Sequence, residues 1–107
     1  MANPFAGEVE VVLNGERRVA KLTLGALAEL EAALGTGTLV GLVERFEAQA
    51  FSVRDVLMVL VAGLRGGGWR GTAEELGRSE IAGGALAAAR IAAELLARAF
   101  AVPEPLG

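Results

Sequence analysis

The 107-residue chain contains no cysteine, no histidine and no tyrosine, one tryptophan, three prolines and a single lysine, Lys21. Each absence removes a class of chemistry. Without thiols or imidazoles there is no disulfide framework, thiolate zinc site, haem ligand, Ser-His-Asp or Cys-His triad, or thiol redox couple. The Gly66-Gly67-Gly68 run is not followed by the Lys that a Walker-type phosphate loop requires. Ser52 and Ser79 would have to recruit Lys21 from an extended segment to form a Ser-Lys pair. The balance of 10 basic against 13 acidic side chains, net −3, speaks against a general polyanion binder, whose affinity depends on Lys and Arg neutralising phosphates. The expectation is a non-enzymatic protein without cofactor, metal or nucleic-acid partner.

Long apolar runs are also missing. The longest uncharged one, Val56 to Leu64, falls well short of the roughly 20 residues that span a membrane. The Ala/Leu segment near the C-terminus is interrupted by Arg90, Glu94 and Arg98. Residues 3–7 lack the basic and apolar regions of a secretory signal, so a cytoplasmic protein is expected.

What the chain does have is 53% hydrophobic residues, enough for one continuous core in a domain of this length. The expected organisation is a single domain over 1–107, with a β-hairpin at 8–22, a helical part at 24–101 and a tail at 102–107. Its class is α+β, mainly α: an N-terminal hairpin followed by a bundle of four to five helices.

The hairpin is the best-marked element. Val9 and Val11 alternate with Glu8 and Glu10 up to Asn14-Gly15, a dipeptide suited to the positive φ angles of a type I′ turn. A two-stranded hairpin is marginal alone, so its apolar face must pack on the helices, and its edges are candidates for strand addition. Thr23 caps a helix from Leu24 to Leu34, with Leu24, Leu27, Leu30 and Leu34 at helical spacing and Gly35 as its stop. A second amphipathic helix begins near Thr38 and ends around Gln49; Leu39, Leu42, Val43 and Phe46 form its apolar stripe, with Glu44, Arg45 and Glu47 facing away.

Ser52 and Asp55 form an S-x-x-D variant of the capping box at the start of a central helix, Val53 to Leu64, which carries no charged residue on any face from Val56 to Leu64. The chain is expected to turn at Gly66-Gly68. Thr72 and Glu75 suggest a second capping box for a short helix to Gly77. A last helix follows from about Ala85 to Ala101 and ends before Pro103. On it Arg90, Glu94 and Arg98 make one i,i+4 polar stripe, and the remaining surface of Ala, Leu, Ile and Phe must be covered by the domain, another copy or a partner helix.

Two local constellations invite function. Arg65-Gly-Gly-Gly-Trp69-Arg70-Gly71 could stack Trp69 on a nucleic-acid base, present a protein-contact loop, or close a helix with Arg65 on its dipole and Trp69 on the core. The acidic background favours the structural reading. Glu74, Glu75 and Glu80 could gather a divalent cation, but no alternating D-x-D-x-D-G loop is present, and first-turn acids answer the helix dipole.

Taken together, "GEVEVVLNGERR", "LTLGALAELEAALG", "LVGLVERF", "SVRDV" and "AGLRGGGWRG" before a terminal Ala/Leu helix resemble the small gene transfer agent family encoded among the tail genes of phage-like particles of α-proteobacteria. The group is similar to phage tail assembly chaperones. The resemblance spans nearly the whole chain and carries no catalytic motif. It implies a tail assembly chaperone that binds the tape-measure protein and tail-tube protein; the family has also been labelled a tail tube protein, which makes a structural tail component the alternative. A small nucleic-acid-binding regulator acting through Arg65, Trp69 and Arg70 is the alternative of another class. The partner-binding residues expected are Trp69 on the loop and Leu95, Leu96 and Phe100 on the last helix, with self-association as a further possibility.

Overall fold

A computed structural model of the chain describes residues 2–3 and 6–100. Their order is β1 (Val9–Leu13), β2 (Glu16–Ala20), α1 (Leu24–Leu34), α2 (Leu39–Glu47), α3 (Val53–Gly66), α4 (Ala73–Gly77) and α5 (Gly84–Ala99). This is the mainly helical α+β class read from the sequence. The expected helix end at Ala101 and the tail at 102–107 lie outside the described residues. No single helix among the described residues is long and apolar enough to cross a membrane.

β1 and β2 pair antiparallel, with Val9 opposite Ala20 and Leu13 opposite Glu16. Asn14 and Gly15 make the turn at φ 51° and 81°, the left-handed geometry this dipeptide tolerates. Val9, Val11, Leu13 and Ala20 are buried, so the hairpin lays one face on the helices.

Its edges are less open than the sequence suggests, because the chain itself covers part of both. On the β2 side the Lys21 amide donates to the Gly63 carbonyl at 2.8 Å. A Cβ at Gly66 would overlap the Lys21 carbonyl oxygen, and one at Gly67 would overlap that of Val19. These glycines therefore let α3 press against a strand edge, and α3 continues to Gly66 rather than stopping at Leu64. On the β1 side the Asn14 amide donates to the Glu80 carbonyl (2.8 Å) and the Ala82 amide to the Val12 carbonyl (3.0 Å), with Leu13 bridging Ile81.

The helix starts follow their caps. Thr23, Thr38, Ser52 and Thr72 accept from the amides of Ala26, Gly41, Asp55 and Glu75. Only at Ser52 is the box reciprocal. At Thr72 the expected second box stays half-formed: the Glu75 carboxylate takes the Thr72 hydroxyl at 3.5 Å, a bond between side chains.

α3 is the central element, packed by α1, α5 and β2, and the side chains at the core centre are Leu30, Leu42, Leu60, Leu64, Leu95 and Leu96. Two helix faces differ from their sequence patterns. Leu24, in the first turn of α1, points to solvent while Ala26 takes the inward position. Arg45 of α2 does not face away into solvent; it turns toward α3, where it donates to the Asp55 carboxylate.

Candidate protein-binding groove

The N-terminal half of α3 is not fully covered. Val53, Val56, Leu57 and Leu60 from α3 form one wall of an open groove of about 690 Å³. Leu76 of α4, Ile81 of the α4–α5 connection, and Ala85 and Ala89 of α5 complete it, with Phe51 at one end. Glu80 is the charged residue on the lining. Val53, on the rim, is 77% exposed although it opens the central helix of the fold. Such a lining can bury apolar side chains of another protein.

Two devices hold the rims in place. The first is a corner between α2 and α3 centred on Asp55, the buried charged residue among the described residues. Its carboxylate accepts from Arg45 Nε at 3.1 Å and Arg45 Nη2 at 3.0 Å, a bidentate pairing, and from the Ser52 amide at 2.9 Å. The Arg45 hydrogen bonds dominate, with the Ser52 bonds adding to them, and hold the Asp55 carboxyl below the usual carboxylate range against the opposing effect of burial. Beside the pair, Phe46 stacks on Phe51 with centroids 4.7 Å apart and rings 8° from parallel. This fixes Phe51 at the groove's end.

The second device is the hairpin turn. The Asn14 side chain accepts from the Glu80 amide at 2.9 Å and donates to the Ser79 hydroxyl at 3.3 Å. Asn14 thus makes the turn and also anchors the connection that carries Ile81 into the groove.

The residues expected to bind partners separate into two groups. Leu95 and Leu96 are 1% and 2% exposed and belong to the core, a position that gives them a packing role in the monomer. Phe100 is 42% exposed at the end of α5, well away from the groove. Trp69 is half-buried, packed on the core and lying over Gly71, where a Cβ would strike its ring. Arg65 is engaged too, with Glu29 at 3.1 Å and the Gly71 carbonyl at 3.2 Å. The glycine-rich loop therefore closes α3, as its structural reading has it; of the four expected residues, Leu96 and Phe100 come together in a cleft of about 320 Å³ beside Val43 and Phe46 of α2, while Trp69 and Leu95 lie outside it. Among the described residues, no cluster of three or more Asp or Glu forms that could hold a metal, Glu74, Glu75 and Glu80 included.

Sequence reasoning missed the groove because it looked for spare apolar surface on α5 rather than on α3. The available clue was Val53, Val56, Leu57 and Leu60, apolar positions at helical spacing on one side of α3.

Over residues 6–102 the chain matches the family described as phage tail tube protein, GTA-gp10. The chain belongs to this family. It is thus a gene transfer agent tail family protein, with a tail-associated role. No curated protein and no solved structure matches it significantly. The groove is the feature of the fold suited to contact with other tail components.

Proposed function

We propose that this protein is a non-enzymatic assembly chaperone of the tail, using the α3–α4–α5 groove to hold apolar helical segments of the tape-measure protein while tail-tube subunits are brought to it. The observation that carries this reading is the open apolar groove beside a sheet of only two strands, both of whose edges are partly taken by the chain's own backbone. A helix laid in a groove buries its apolar stripe without needing a free strand edge. A tube wall, in contrast, is built from extended sheet, which this chain supplies sparingly. Binding takes place in the cytoplasm, before the particle is complete.

The family description favours a second reading, a structural tube component that stays in the particle. The two part on one experiment. The protein is co-expressed with the tape-measure protein, and purified mature particles are probed for it. A chaperone is recovered bound to the tape-measure protein and is absent from particles. Stoichiometric retention in particles makes it a tail subunit, and failure to bind the tape-measure protein removes the chaperone reading.

A further inference from the structure

The outer face of α5 is separate from the groove and has its own pattern. Ala88, Ala92, Leu95 and Leu96 turn inward. Opposite them Leu86, Arg90, Ala93, Ala97 and Phe100 fall on one exposed stripe, spaced by alternate steps of four and three residues. Leu86 and Phe100, 72% and 42% exposed, are its two large apolar side chains. Each stands seven positions from Ala93, two helical turns or about 10 Å along the axis.

That spacing is self-complementary. We propose that two copies of this chain pair through these faces, their α5 helices antiparallel about a two-fold axis at Ala93, with Leu86 of each copy packed on Phe100 of the partner subunit. Ala93 and Ala97 between them let the backbones approach closely.

On the flank of α5 away from Glu47 of α2, the charges suit the same arrangement. Arg90 has no ion-pair or hydrogen-bond partner among the described residues, and it is exposed on the stripe, toward one flank. Glu94, on the same flank, is held only by Arg98 at 3.5 Å, and its side chain is 43% exposed. A two-fold axis across the helices keeps each flank facing its own kind. It sets Arg90 near Glu94 of the partner subunit, and does so twice. A parallel pairing would instead bring Arg90 against Arg90 of the partner subunit and Leu86 against Leu86 of the partner subunit. Charge complementarity therefore points to a second, antiparallel copy. This inference does not rest on the chaperone reading, because it uses a different face and needs no tail protein.

The absence of cysteine makes a direct test possible. Ala93→Cys introduces the sole thiol at the proposed axis, and Ala32→Cys places one on the exposed side of α1, away from both the stripe and the groove. Under mild oxidation the Ala93→Cys protein is expected to form a disulfide-linked dimer at least about tenfold faster than the Ala32→Cys protein, since a disulfide needs Cα atoms within about 7 Å. Equal rates, or no dimer at position 93, would overturn the proposal. Sedimentation of the full chain gives a second reading that needs no thiol. Arg90→Glu should weaken association by about tenfold or more, and Arg90→Glu combined with Glu94→Arg should restore it. Circular dichroism verifies that these surface variants fold. A chain that stays monomeric at all concentrations, or a charge swap without effect, contradicts the pairing.

Discussion

The two ends of α3 meet opposite surroundings. At the C-terminal end Gly63, Gly66 and Gly67 bring the helix onto the backbone of β2, so closely that two of these positions have no room for a side chain without moving the strand. At the N-terminal end Val53 and Leu57 stand beside a groove that the chain leaves open. Hydrophobicity alone does not distinguish a surface covered from within from one that the described residues leave open. Glycine does, where it marks close approach of two backbones.

The comparison breaks most sharply at the glycine end. Gly66→Val should force α3 from the Lys21 carbonyl, costing about 3 kcal/mol and lowering Tm by roughly 15 °C, as measured by thermal denaturation. If the variant melted like the native chain, the close contact would carry no stability.

At the other end the Asp55 corner comes next in size. Because the folded carboxyl titrates below its unfolded value, its contribution is fully present above about pH 4 and is lost as pH falls through the lower folded value. Asp55→Asn should therefore lower the urea midpoint at pH 7 and flatten the acid limb of the stability profile. A variant with the native acid profile would place the acid sensitivity elsewhere. Ser52→Ala, which removes only the forward half of the capping box, should cost about 1 kcal/mol by the same denaturation.

The smallest stability effect belongs to the groove itself. Val53→Asp should change unfolding free energy by no more than about 0.5 kcal/mol while weakening capture of the tape-measure protein in co-expression. Undiminished capture would take the rim out of the binding surface.

Most of the fold was legible because local chemistry states it. Asn14-Gly15 specifies the turn, Gly35 the end of α1, and Ser52 with Asp55 the start of α3. What local patterns could not supply was long-range pairing. The S-x-x-D motif marks Asp55 as a cap, but that it also grips Arg45 of α2 depends on how the two helices meet. Likewise Asn14 reads as a turn residue, and its bond to Glu80 joins positions 66 apart in the chain. The site was harder to read than the fold. Leu95 and Leu96 have the composition of a binding surface and the position of a core, while Val53 and Leu57, which pattern alone assigns to a buried helix, line the open side.

Hydrogen exchange on the protein with and without bound tape-measure protein tests the role of the groove most directly. Protection should rise over residues 53–60 and 81–89, the two walls, and stay unchanged over the hairpin at 9–20. Protection confined to the hairpin, with both walls exchanging as in the free protein, would contradict it.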